Sequence, residues 1–196
     1  MIENSVNIKY KDEPVLLDRA LQDIQKMLLM KLTWLDFAFG RSYRLVEREP
    51  NGRKFIYPAV YKGNGDYISL LPNDNFGNFS WFEIYDPQKI TNTTPMSPRY
   101  TVDGAIVFWY NLSSIYGDDT VLHTEEIKNE ILKALTTPGS IKASGRLVIN
   151  NIYEQLENIY KDYSIENVSD NYMMYPYAGI RIEFTLTVEE LCQRFM

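Results

Sequence analysis

Residues Ile180–Val188 read IRIEFTLTV, with Ile180, Ile182, Phe184, Leu186 and Val188 alternating with Arg181, Glu183, Thr185 and Thr187. Side chains on a strand point to opposite faces in turn, so this pattern predicts a β-strand with one apolar face and one wet face. Pro176 interrupts the chain just before it, and Gly179 allows a bend or bulge at its start. Working back from this strand, Arg146–Ile152 alternates enough to be another, and Ala105–Leu112 is apolar enough to be central. Between those two, Thr124–Thr136 carries Ile127, Ile131, Leu132 and Leu135 at helical steps. Thr124 as N-cap, Glu125 and Glu126 in the first turn, and Pro138-Gly139 beyond the end complete a helix signature. A short helix is expected within YEQLENIYKDY, residues 153–163.

The first half begins with a different period. From Pro14, Leu17, Leu21, Ile24, Leu28 and Leu32 recur every three or four residues, widened by Leu16, Leu29 and Met30. This predicts an amphipathic helix capped by Asp12, with Pro14 in its first turn and Gly40 ending its apolar exit WLDFAF. Beyond Gly40 the period becomes strand-like over Ser42–Arg48, Lys54–Tyr61, Asp66–Leu71 and Phe79–Tyr85. Asn64-Gly65, between the second and third runs, is the residue pair that tight hairpins prefer because both positions need positive φ. Turns are also expected at Pro50-Asn51-Gly52 and at Pro72–Asn75. The polar TNTTPMSPR, with two prolines, reads as a linker or arm over 91–100. It separates a helix-plus-hairpin region, 1–90, from an α+β region, 101–196, or lies within one compact domain. The elements occur without a βαβ beat, so the predicted fold is α+β. A mixed or antiparallel sheet is covered by one or two helices, with an N-terminal helix and a β-hairpin elaboration.

Composition narrows the function classes. The 196 residues are 45% hydrophobic and 23% charged, near globular averages, and 20 basic against 26 acidic side chains leave a net charge of −6. That balance disfavours a polyphosphate-gripping surface. A lone cysteine, Cys192, in VEELCQRFM cannot form an internal disulfide and reads as a packing thiol in a reducing compartment. A lone histidine, His123, sits at a helix entry, where capping or surface roles prevail over base catalysis, and one imidazole excludes two-histidine metal sites. The start of the chain shows no export signal, and no apolar run is long enough to span a bilayer. Phosphate-loop, dinucleotide, nucleophile-elbow, zinc-protease and EF-hand patterns are all missing from the sequence. The paired acids Asp118-Asp119 and Glu125-Glu126 could in principle run glycoside hydrolysis, but nothing apolar beside them separates their pKa values. The expectation is no catalytic residue, no cofactor and no metal.

The aromatic load is heavy, at 14% with 15 Tyr, 9 Phe and 3 Trp. Aromatics and Arg are enriched where proteins meet, so Trp34, Phe37, Phe39, Arg41, Arg44 and Arg48 are the expected subunit interface, against the alternative that the aromatics are core.

The order strand, helix, strand, strand over about 100–192, and the wording NYMMYPYAGIRIEFTLTVEELC from Asn171 to Cys192, resemble the tail-terminator and head–tail connector ring proteins of tailed bacteriophages, as in crAss-like phages of Bacteroidetes hosts. The resemblance implies a non-enzymatic virion component, assembled in the bacterial host cytoplasm as a closed ring of six or twelve copies. Its partners would be itself and neighbouring portal, connector or tail proteins, with DNA only passing through the lumen and no membrane involved. The first hundred residues depart from the minimal terminator pattern. Two other classes compete: a carboxylate-dependent hydrolase using Asp118 or Glu126, and a monomeric module that binds ligands through surface aromatics.

Overall fold

A computed structural model describes residues 8, 10–48, 50, 52–92, 99–117, 120–137, 145–166, 168 and 170–189. In chain order the elements are α1 (Leu16–Lys31), β1 (Phe37–Arg48), β2 (Lys54–Gly63), β3 (Asp66–Ser69), β4 (Phe79–Ile84), β5 (Lys89–Asn92) and β6 (Arg99–Asn111). Then follow α2 (Leu112–Tyr116), α3 (Thr124–Thr136), β7 (Gly145–Tyr153), α4 (Leu156–Ile159) and β8 (Tyr177–Glu189). Short 3-10 turns occupy Asp74–Phe76 and Asp170–Met173. The strands make one eight-stranded sheet in the order β3-β2-β1-β4-β6-β8-β7, with β5 paired to the other end of β6. Every pairing is antiparallel except β1 with β4. The α+β expectation is met.

β6 and β8, 13 residues each, pair along their whole length, Arg99 with Glu189 through Asn111 with Tyr177. Their alternation builds a core on each face. On one face lie Val102, Ile106, Phe108, Ile182, Phe184 and Leu186, covered by α1 and α3. On the other lie Ala105, Val107 and Trp109, joined by Phe39, Phe79, Trp81 and Tyr160 and covered by α4 and the irregular chain around it. The molecule therefore has three layers: helices, sheet, and a partly irregular aromatic cover.

The polar hub between β1 and β4 is Asn78. Its carbonyl accepts the N–H groups of Asp36 and Phe37 at 2.8 and 3.2 Å, and its side chain donates to the Trp34 carbonyl at 3.0 Å. Its Oδ1 accepts from the Asn111 N–H at 2.8 Å, while its own N–H donates to Asp36 Oδ2 at 2.8 Å. Gly77, at φ 58°, lets the chain pass Asp36, because a Cβ there would run into that carboxylate.

Several local expectations are corrected. α1 starts at Leu16, after Val15, with no side-chain cap from Asp12 or any other residue. The FAFG that reads as a helix exit is already strand, the first four residues of β1. A register shift between Ala38 and Arg41 against β4 inserts a bulge there. α3 has the predicted bounds, but His123, not Thr124, stands at its N-cap. The hairpin turn is as predicted, with Asn64 at φ 54° and Gly65 at φ 85° joining β2 to β3. Pro95 and Pro98 of the expected arm lie outside the described residues; the chain on either side is the antiparallel pair β5–β6. The sheet runs across this point, since β6 pairs with β4 on one side and β8 on the other. Among the described residues no helix is long and apolar enough to cross a membrane.

Candidate functional site

The most heavily built polar site lies on the aromatic face. β8 turns Arg181 toward that face, where the sequence pattern predicts solvent, yet Arg181 is only 2% exposed. Its Nη2 meets Glu83 Oε2 of β4 at 2.7 Å and also donates to the Tyr85 hydroxyl, while Nη1 donates to the Ile159 carbonyl at 3.2 Å. Glu83, 7% exposed, accepts at its other oxygen from Trp81 Nε1 at 3.4 Å. Burial alone would lower the Arg181 pKa, but the Glu83 charge, its hydrogen bond and Tyr85 outweigh that and raise it. Burial first, then the Glu83 charge and hydrogen bond, raise the Tyr163 hydroxyl well above its ordinary range. The Tyr160 hydroxyl is raised by burial too, and donates to the Leu70 carbonyl at 3.0 Å.

Over this pair opens a groove of about 380 Å³ lined by Ser42, Arg44, Tyr85, Lys161, Asp162 and Glu183 among others. Glu183 accepts from Asn151 at 3.0 Å and Tyr153 at 3.3 Å, and Arg44 donates to the Asp162 carbonyl at 3.3 Å. The inner guanidinium is neutralised and holds the α4 segment down through Ile159. A buried pair of this kind, with the Arg181 Nε left without a hydrogen-bond partner among the described residues, fixes a conformation.

The six residues expected at an interface are not one surface. Phe39 is 2% exposed, stacked on Phe37 at 5.6 Å and edge-on to Phe76 and Phe79 at 5.7 and 6.0 Å. From Phe79 the ring contacts continue through Trp81, Tyr160 and Trp109 to Tyr177. Most of the aromatic excess is thus spent inside the protein. Trp34 packs on Tyr110 at 5.6 Å and donates Nε1 to Glu130 of α3 at 2.9 Å. Arg41, Arg44 and Arg48, spaced like a helix face, lie on a strand, so Arg41 points to one side and the other two to the opposite side. Arg41 lies over the Tyr43 ring at 5.7 Å.

Sequence reasoning missed the aromatic surface that does exist. On the helix-bearing side of the β1–β2–β3 wing, Tyr43, Tyr61 and Tyr67 are 45%, 54% and 45% exposed and in mutual edge contact, Tyr43–Tyr67 at 6.0 Å and Tyr61–Tyr67 at 5.3 Å. The signal was present as alternation in Tyr57, Ala59 and Tyr61 opposite Leu45 and Tyr43.

Of the acids weighed for hydrolysis, Asp118 and Asp119 lie outside the described residues, as does the expected packing thiol Cys192. Glu125 and Glu126 sit in the first turn of α3, Glu125 paired with Lys128 at 2.5 Å. His123 stacks on Tyr116 at 4.1 Å, with Nδ1 3.7 Å from Glu126. Among the described residues no group of three or more His, Cys, Asp or Glu could hold a metal ion. No known family model matches the chain, and no curated protein is similar to it in sequence.

Proposed function

We propose that the protein is a non-enzymatic structural component of a tailed-bacteriophage virion, forming a homo-oligomeric ring at the head–tail connector or upper tail through which DNA passes. The observation that carries this reading is the exposed tyrosine cluster of the wing, Tyr43, Tyr61 and Tyr67, beside a cavity that Leu21, Gln22 and Gln25 of α1 also line. Rigid amphipathic rings clustered on a surface suit protein contact, because they bury large area at small entropic cost. The element order of the second half and the wording of Asn171–Cys192 supply the phage context. The acidic net charge, −6, suits a lumen that lets DNA pass without gripping phosphate.

Light scattering after gel filtration, across concentrations, with negative-stain images of the leading peak, tests the reading. Rings of six or twelve copies are the expected result. A monomer at every concentration, alone and when mixed with portal and tail proteins of the same phage, overturns it.

A further inference from the structure

Three strands have a partner on one side only among the described residues: β3 and β7 at the two ends of the sheet, and the four-residue β5 beside β6. Natural sheets blunt such edges with lysine, proline, shortness or a bulge. β7 is nine residues long, with Arg146 as its one charged residue, no lysine and no proline, and it exposes Val148 at 44% and Ile152 at 37%. Its one bulge lies between Ile149 and Asn151, leaving Gly145–Ile149 as regular strand. β3, at the far end, is four residues long.

From these edges we infer that β7 of one copy pairs with β3 of the next, continuing the sheet from subunit to subunit. The inference rests on the ring reading above and names its contact. Following the pairings across the sheet, β3 runs with β1, β4 and β8, whereas β7 runs against them. A neighbour related by rotation about a ring axis therefore presents β3 antiparallel to β7, the hydrogen-bonding arrangement that short strands favour. The faces also agree. Ile149 lies beside Phe184 on the helix-bearing face, and Tyr67 beside Tyr61 on the same face. Val148 and Ile68 both lie on the opposite face, Ile68 beside Val60 of the aromatic core. One antiparallel register sets Ile149 opposite Tyr67 and Val148 opposite Ile68, apolar against apolar on both faces, with Leu147 opposite Ser69. Such aromatic–aliphatic and aliphatic cross-strand pairs are the stabilising units of a sheet. The same step sets Tyr67, the outermost ring of the Tyr43–Tyr61–Tyr67 cluster, beside the neighbour's Ile149.

Cysteine pairing tests the register in a Cys192→Ser background. Oxidation of the Val148→Cys, Ile68→Cys double variant is expected to give a reductant-sensitive covalent ladder. A mixture of the two single variants should give a covalent dimer, and Val148→Cys alone none. Separately, Val148→Lys should raise the concentration midpoint of assembly by about tenfold or more, with an unchanged far-ultraviolet circular dichroism spectrum as the check on folding. Rings that persist in Val148→Lys, together with no cross-link in the rings of the double cysteine variant, overturn the edge pairing and leave the ring reading standing. Open ladders without closed rings do the reverse. Dimers from Val148→Cys alone mean two-fold β7–β7 pairing and overturn the head-to-tail contact.

Discussion

The two faces of the sheet are made from the same strands yet are sealed by different physics. The helix-bearing face is aliphatic and is closed by α1 and α3, whose apolar stripes fit it by simple burial. The opposite face is aromatic and closed by irregular chain around α4, which cannot satisfy its own backbone as a helix does. It needs specific polar tethers instead: Arg181 to the Ile159 carbonyl, Tyr160 to the Leu70 carbonyl, and Ser164 to the backbone of Ile56. A helix-covered face depends on close packing alone, whereas a loop-covered face depends also on a few directed bonds.

The sharpest way to break this contrast is Arg181→Ala, which strands Glu83 in the interior without a counter-charge. A loss of about 3–5 kcal/mol is expected, read by urea unfolding, and replacing both partners by Leu and Met should recover most of it. On the helix-bearing face the comparable deletion is Ile24→Ala, fully buried in α1. It should cost about 2–5 kcal/mol, by loss of packing rather than of a directed bond. Tyr160→Phe removes one tether and is expected to cost about 1 kcal/mol at neutral pH. The same variant separates the faces by pH. In the native state burial keeps the Tyr160 proton on, while the unfolded chain releases it above a pH of about 10. The unfolded state then binds fewer protons, so stability is intact below that pH and falls as pH rises above it. With Phe at 160 one such proton is gone, and the variant should lose stability less steeply, by about 1.4 kcal/mol per pH unit. Parallel slopes for the two proteins above pH 10 would remove Tyr160 from the account.

The helix-bearing face was legible because amphipathic period reports burial against one flat partner. α3 and β8 follow from their spacing, and the β2–β3 turn from Asn64-Gly65. The aromatic face was not legible for three reasons. Arg181 in an alternating strand looks solvent-facing, because nothing local reveals that Glu83, 98 residues away, will neutralise it. Phe37 and Phe39 belong to an apolar run too short to separate strand from helix exit. Arg41, Arg44 and Arg48 mimic a helical stripe, and the register of β1 disperses them across two faces. The exposed tyrosines of the wing failed to stand out because the same residue type fills the core.

The full-length union of β6 with β8 also governs how the chain reaches this state. α2, α3, β7 and α4 are all synthesised between the two strands. β6 can pair with β4 and β5 as soon as it is made, but its other edge stays open, strongly apolar, while residues 112–176 and then β8 are synthesised. Pairings so distant in sequence fold slowly and expose sticky edges meanwhile. Production of this protein should accordingly benefit from slower translation, lower temperature or added chaperones.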